Sequence, residues 1–600
     1  MNARLGPPPV YDVRFELSHR IEMRDGIRLS TDLHFPVGAA WPLPAVLLRT
    51  PYDKRHWLDD AILAPRARLF ASQGYVVAVQ DVRGRFESEG EFLVGRGDID
   101  DGCDTIDWLI RQAWSNGRVG TYGCSYMAEL QVYLAKRGHP ALRAMIICAG
   151  GGATGSLGGR YTRFGAKSGG AFCLASMVAW MLQGSKIFAR LPASLADEEF
   201  RRLAPLYSPG PRLATAPTDE LFRHLPVEDI LRHASAPPSD YEALLTREPD
   251  DPWWNQFDYL AGGDDVDGPA IHVDSWYDPC VSETLERFEH FRAHARSDTA
   301  RRNQFAVIGP GLHCQSEYAT ERTLVGARDV GDARADLWAF YVRWFDYWLK
   351  GEDNGVTTAP VLRYYVMGRN QWRTADAWPV HGTRFVPFYL HSGGRANSRH
   401  GDGTLSEQAP ADEPPDAFIY DPATPVPTVG GPGFPTLTPG LAAGALDQRE
   451  VEERQDVLVY TSAPLPEGLE VTGPIRAVLF VSSSVPDTDI TCKLVDVYPD
   501  GRAFNIQEGI LRMRYRGGVT TRAAMRPGEV YRVEVDLQAT SNFFGPGHRI
   551  RLEVSSSNFP RFDRNLNTGG RNWDESEGVL AHNRVHHAVS SASHLLLPLL

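Results

Sequence analysis

The stretch GTYGCSYMA at 120–128 sets Ser125 two residues after Gly123, half of the G-x-S-x-G pattern that holds a serine on a sharp turn between strand and helix. Met127 stands where the second glycine would be, and the small Ala128 one place later can relieve the same crowding between helix and strand. A serine so placed attacks a carbonyl only if a base takes its proton, an acid orients the base and donors receive the oxyanion. In α/β hydrolases the three residues come in the chain order nucleophile, acid, histidine, at the ends of successive strands. Here GPAIHVDSWYD ends in Asp278 and QFAVIGPGLH ends in His313, which is the required order. Asp274 competes as the acid but lies inside the apparent strand, and His272, also inside it, reads as a core histidine. The loop RTPYDK brings Tyr52 to where a phenol could face the developing charge, with the backbone N–H of Tyr126 as the other donor. A purely structural tyrosine beside a proline turn is the competing reading of Tyr52. Met127, Trp276 and Cys280 are the candidates to line a substrate pocket.

The elements needed to hold these residues are legible around them. FELSHRIEMRDGIRLSTDLHFP reads as a hairpin turning at Asp25-Gly26, PAVLLRTPY as a buried strand, RARLFASQG as a helix and GYVVAVQDVRG as a strand. DTIDWLIRQAW follows as a helix with Asp104 as its N-cap, then GRVGTYGCS as a strand. SYMAELQVYLAKRG is a helix closed by Gly138, and ALRAMIICAGG is the next strand, so Ser125 falls at a strand-to-helix junction. This alternation predicts an α/β body over 1–150 with a parallel sheet. Glycine-rich and then helical sequence over 151–240, including AFCLASMVAWMLQG, LADEEFRRLAPLY and the proline-broken SPGPRLATAPTDE, reads as an inserted helical cap. The body resumes over 241–354, through the helix ETLERFEHFRAHARS to the amphipathic ARADLWAFYVRWFDYWLKGEDNG. Over 355–600 short β-branched runs separated by turn signals, from VLRYYVMG to HRIRLEVSSSNFP, predict a β-sandwich or jelly roll, with long loops between 392 and 450.

Bulk properties narrow the class further. The chain of 600 residues carries a net charge of −13 with no long basic run, which argues against a nucleic-acid surface. No segment approaches the roughly 18 apolar residues of a membrane span, and the N-terminus lacks the apolar core of a secretory signal, which points to the cytoplasm. Seven cysteines without a close CxxC pair fit a reducing compartment and buried thiols better than a disulfide framework. Cys124, Cys280 and Cys314 stand close in sequence to the candidate catalytic residues, yet the spacing lacks the ligand pairs of a metal site, so neither metal nor cofactor is expected.

Together these residues resemble the cocaine esterase family of serine hydrolases, which groups with X-prolyl dipeptidyl peptidases and α-amino acid ester hydrolases. That family's elbow has the form G-x-S-Y-x-G, matched by Gly123, Ser125 and Tyr126, with Ala128 the departure. RTPYDK, QDVRGRFESEGEF, SWYD, KLVDVYPDGRA, GILRMRYR, ATSNFFGPGHRI and SSSNFPRFDRNLNTGG carry the likeness along nearly the whole chain. The resemblance implies an α/β-hydrolase body, an inserted helical cap and a C-terminal jelly roll. It further implies Ser125 as nucleophile, Asp278 as orienting acid and His313 as base, with Tyr52 and the Tyr126 amide as oxyanion hole.

The expected activity is metal-independent hydrolysis of a small-molecule carboxylic ester, or an amide, through an acyl-enzyme on Ser125. An aminopeptidase or amino-acid ester hydrolase is the second reading, and it needs carboxylates such as Glu129 or acids of the cap to hold an ammonium group. A reading from another class is a carbohydrate-binding jelly roll on a retired hydrolase body. Neither nucleic acid nor membrane is an expected partner, and a homo-oligomer is compatible with the sequence.

Overall fold

The computed structural model describes residues 6–55, 63–151, 153, 155, 157–185, 196–203, 218–236, 239–434, 438 and 440–600. Most of SPGPRLATAPTDE and the end of LADEEFRRLAPLY lie outside the described residues.

Among the described residues the first body is built on a sheet of ten strands: β1 (Val13–Glu22), β2 (Arg28–Pro36), β3 (Leu43–Thr50), β4 (Val76–Asp81), β5 (Ser115–Cys124), β6 (Leu142–Cys148), β7 (Ala270–Tyr277), β8 (Gln304–Leu312), β9 (Leu362–Val366) and β10 (Gln371–Ala375). Their order is β1-β2-β4-β3-β5-β6-β7-β8-β9-β10, parallel from β4 through β9 and antiparallel at both edges. β3, β4, β7 and β8 are buried along their whole length, as parallel strands covered on both faces must be, and their β-branched runs supply that surface. Helices α1 (Leu63–Ser72), α2 (Asp98–Ile110), α3 (Tyr126–Arg137), α4 (Leu174–Ala179), α5 (Val281–His294) and α6 (Leu337–Phe345) complete the layers that concern the site.

Two local expectations are corrected. α2 starts at Asp98, six residues before the predicted cap, behind a left-handed Gly97 at φ 78°. Asp98, Asp100 and Asp101 fill its first turn, where the helix dipole favours negative charge, while Asp104 lies inside the helix and receives the backbone N–H and guanidinium of Arg24. VLRYYVMG, expected to open the sandwich after residue 355, instead forms β9, whose residues Leu362–Tyr364 pair in parallel with Ala306–Ile308 of β8. The first sheet therefore continues to Ala375, beyond the predicted boundary at 354. A short run of β-branched residues fits an edge strand of either sheet, and the difference is made by tertiary pairing.

Between β6 and β7 the cap contributes α4 and the short helices Thr218–Arg223, Ile230–His233 and Tyr241–Thr246, so it runs past the predicted limit at 240. Among the described residues the C-terminal body is all β, with eleven strands, and includes β11 (Asp489–Val497) and β12 (Ala503–Arg512). Two short strands, Thr404–Ser406 and Asp416–Tyr420, interrupt the long loops expected over 392–450. One apolar cluster joins the two bodies, with Trp276, Tyr277, Val281 and Phe288 on one side and Phe504 and Ala539 on the other. No helix among the described residues is long and apolar enough to cross a membrane.

Candidate active site

Ser125 stands between β5 and α3 with φ 63° and ψ −130°, a conformation strained for a residue with a Cβ. Its amide donates to Cys148 O of the neighbouring strand at 3.0 Å, and its carbonyl receives Ala128 N at 2.8 Å, which fixes the turn at both sides. The tight crossing explains the residues around it. A Cβ on Gly123 would lie 2.4 Å from the Cβ of Met127, and one on Gly150 would lie 2.6 Å from the Cβ of Ala128. The family glycine is thus replaced by alanine against a facing glycine. Met127 is consumed by this packing: it is buried in the core with Cys124, Tyr122 and Cys148 and is not among the residues that line the cavity described below.

Asp278 follows β7 directly and His313 follows β8, and the two meet with His313 Nδ1 and Asp278 Oδ2 2.8 Å apart. Asp278 is fully buried. Burial opposes its charge, but the facing His313 imidazole, a hydrogen bond from Asp274 and the Cys280 amide outweigh that and hold the carboxyl below its usual range. Asp274, the competing acid of the sequence, lies behind it. Burial and the Asp278 charge push its carboxyl well above the ordinary value, so it is protonated and supports Asp278 as a hydrogen-bond donor. The Thr284 hydroxyl, 2.5 Å from Asp274 Oδ2, and the Ser275 amide, 2.7 Å from Oδ1, complete its partners. His272 is a core residue, 3.0 Å from Gln304 Oε1 and fully buried, as its position in the strand predicts. Nε2 of His313 is buried and meets no hydrogen-bond partner among the described residues.

The Tyr52 hydroxyl lies 3.4 Å from Ser125 Oγ and accepts the Trp180 indole N–H at 3.3 Å. It also receives the backbone N–H of Tyr126, so the two residues predicted as the oxyanion hole lie against each other. The latter N–H opens α3, where the first amides have no intrahelical acceptor. Burial raises the Tyr52 phenol above its ordinary pKa, leaving it a protonated donor. Its loop is pinned by Lys54, whose ammonium lies 2.8 Å from both Asp81 and Glu87. Sequence reasoning missed Trp180, which closes Tyr52 from the cap side and stacks on the Tyr126 ring at 6.3 Å. It also missed Arg85 of QDVRGRFESEGEF, a fully buried guanidinium 3.7 Å over the Phe92 ring and close enough to Tyr52 and Tyr126 to act on their charge. The signal was present in the motif, but its direction toward the site was not.

Beside the histidine opens a cavity of about 450 Å³ lined by Cys280, Gly151, Glu283, Cys173 and Phe434. The Phe434 ring meets the His313 imidazole edge-on at 4.5 Å. Of the three pocket candidates, Cys280 lines this cavity. Trp276 does not: it is buried in the core between the bodies and donates its indole N–H to Tyr365 O at 2.7 Å. Glu283 is 7% exposed, and burial pushes its carboxyl up to about 7 against the nearby Arg160. Glu129 is buried and receives the Ala153 amide. Asp278, Cys280 and His313 bring one donor atom each within 4.8 Å of one another, a set that could hold a soft divalent ion only by taking the histidine and its acid out of their pair.

The cysteines depart from expectation. Cys124 and Cys314 form a disulfide, whereas Cys103, Cys148, Cys173, Cys280 and Cys492 are free. The pair is separated by 190 residues and is brought together only by the ends of β5 and β8, so no local spacing could announce it.

A serine on a strained strand-to-helix turn, a histidine held by a buried aspartate and a tyrosine hydroxyl facing the serine fit a serine hydrolase on an α/β-hydrolase sheet. Residues 25–315 match the X-Pro dipeptidyl-peptidase (S15 family) profile, and residues 354–596 match that of the X-Pro dipeptidyl-peptidase C-terminal non-catalytic domain. The chain is 36% identical to the cocaine esterase of Rhodococcus sp. (strain MB1 Bresler) over 97% of both chains. It belongs to the cocaine esterase branch of this S15-type hydrolase family and is a serine esterase by class. Among solved structures it is similar to an aminopeptidase from a marine sediment Thaumarchaeota archaeon, with TM-score 0.80 and 25% identity over 100% of this chain and 98% of the other. It is also similar to an α-amino acid ester hydrolase, with TM-score 0.78 and 25% identity over 98% and 97%.

Proposed function

We propose that the protein hydrolyses a small-molecule carboxylic ester through an acyl-enzyme on Ser125. The observation that carries this reading is the Asp278–His313 contact of 2.8 Å together with a serine on a strained strand-to-helix turn whose Oγ lies 3.4 Å from the Tyr52 hydroxyl. His313 Nε2 takes the Ser125 proton as Oγ attacks the carbonyl, and the Tyr52 hydroxyl and Tyr126 N–H receive the oxyanion. Anionic Asp278 stabilises the imidazolium, which then protonates the leaving alcohol. Water, activated by the same nitrogen, releases the acid.

Initial rates on matched p-nitrophenyl esters and anilides, for wild type and Ser125→Ala prepared side by side, test this reading. Ester turnover that is lost in the variant supports it. Equal rates in the two proteins contradict it, and the anilides decide whether amides are included.

A second reading, hydrolysis of substrates that carry an amine, is favoured by Glu283, whose buried Oε2 has no hydrogen-bond partner among the described residues and which lines the cavity beside Cys280. Glu129, the earlier candidate for this task, is already engaged by the Ala153 amide. If the second reading holds, Glu283→Gln raises KM for amine-bearing esters and leaves neutral esters unchanged.

A further inference from the structure

The proposed nucleophile and base sit at the ends of β5 and β8, which are separated in the sheet by β6 and β7. Three strand spacings amount to about 14 Å, so the base must be carried back across the sheet edge to reach the serine. The register of β8 on β7 slips between Gly309 and Leu312, and the chain then turns through Cys314 at φ 59°, a left-handed conformation in a residue that is not glycine. Both junctions, at Ser125 and at Cys314, are thus strained. Asp278 fixes only Nδ1 of the imidazole, and the opposite nitrogen has no hydrogen bond of its own among the described residues. What joins the two junctions directly is covalent: Cys124, the neighbour of Ser125, is bonded to Cys314, the neighbour of His313, with Cα atoms 6.1 Å apart.

We propose that the Cys124–Cys314 disulfide is a positioning device for the reaction, tying the His313 junction to the Ser125 turn so that Nε2 can be brought to Oγ. This rests on the triad reading above and deepens it. The setting of a third sulfur supports a bond meant to persist. Cys148 lies opposite Cys124 in the β5–β6 register and lines the same small cavity as the disulfide. Its Sγ is 3.7 Å from Glu317 Oε1 and 3.8 Å from the Tyr341 hydroxyl, and the residue is buried. A thiol exchanges with a disulfide only as thiolate, and an enclosed thiol facing a carboxylate stays protonated. Cys314, the more exposed partner, is the sulfur an external dithiol would reach. Its thiolate attacks Sγ of Cys314 and Cys124 leaves as thiolate and is protonated. The second thiol of the reagent then resolves the mixed disulfide, so two electrons and two protons pass to the protein while the reagent closes to its cyclic disulfide.

The test uses the full chain: wild type, the double variant Cys124→Ser with Cys314→Ser, wild type treated with dithiothreitol under native conditions, and Ser125→Ala. Mass spectrometry after alkylation counts free thiols, and kcat and KM are measured on one neutral ester. A displacement of about 1 Å in a reacting pair costs on the order of 100-fold. The expected result is five alkylated cysteines in untreated wild type and seven after dithiothreitol. In both the reduced protein and the double variant, kcat should fall by roughly 10- to 100-fold with KM within about twofold. Seven alkylated cysteines in untreated wild type, or full kcat in a double variant, would overturn the proposal. Should the double variant fail to fold, reduced wild type decides by the same kcat criterion. Ser125→Ala separates the two levels: an active Ser125→Ala protein overturns the triad itself, whereas an inactive one beside a fully active double variant overturns only the role of the disulfide.

Discussion

Within the site, burial sorts two neighbouring aspartates into different jobs. Asp278 keeps its charge because His313 faces it, and Asp274, 1% exposed and next to that charge, keeps its proton. Position in the strand led the sequence reading to Asp278, which is the one in contact with His313, but the burial of Asp274 behind it is not something a sequence shows. Tyr52 is the residue whose role is most open to direct test. Tyr52→Phe removes one oxyanion donor and leaves the ring in place, so kcat should fall by about 100- to 1,000-fold with little change in KM. A change confined to KM, measured on a p-nitrophenyl ester, would make Tyr52 a substrate-binding residue instead.

Among the elements, α5 carries a pH dependence of its own. The Glu283 carboxyl has a folded pKa of about 7, above its ordinary 4.5, because burial outweighs the attraction of Arg160. A carboxyl raised in this way favours the fold most below pH 4.5, and that contribution is lost as pH rises through 7. Glu283→Gln carries no such loss. Relative to wild type it should therefore gain stability between pH 5 and 8, by up to about 3 kcal/mol, in urea unfolding followed across that range. A constant difference between the two proteins would show that Glu283 does not titrate there.

The elements that hold Ser125, Asp278 and His313 were legible because each carries its own local signal. β5 ends in a small-residue turn, α3 closes at Gly138 with φ 67°, and β7 and β8 are apolar runs that end in Asp278 and His313. What was not legible is pairing at a distance. VLRYYVMG has strand composition whichever sheet it joins, and Cys124 and Cys314 have no neighbour in sequence to suggest their bond. Trp180 and Arg85 were missed for the same reason, since an aromatic residue in a helical cap and an arginine in a loop give no direction toward Tyr52.

At the scale of the whole molecule, the all-β body is part of the wall behind the triad. Gln507 of β12 donates to Trp276 O at 2.6 Å and to Ala539 O at 2.9 Å, and Tyr277 donates its hydroxyl to Asn505 O at 2.8 Å. These contacts seat the strand that ends in Asp278 against the second body. Gln507→Leu removes both hydrogen bonds from a buried interface. It should destabilise the protein by about 1–3 kcal/mol and lower kcat on the ester substrate, as read by thermal unfolding and steady-state rates. Unchanged values would mean that the C-terminal body is energetically independent of the site, as a separate carbohydrate-binding module would be.

The central claim is that Ser125 becomes acylated with His313 as its base. Its most direct measurement is peptide mapping after reaction with a fluorophosphonate, on wild type, Ser125→Ala and His313→Ala. One adduct per chain on Ser125, absent from the serine variant and formed at least about 1,000-fold more slowly in the histidine variant, is the predicted result. No adduct in wild type, or an adduct on another residue, would contradict it.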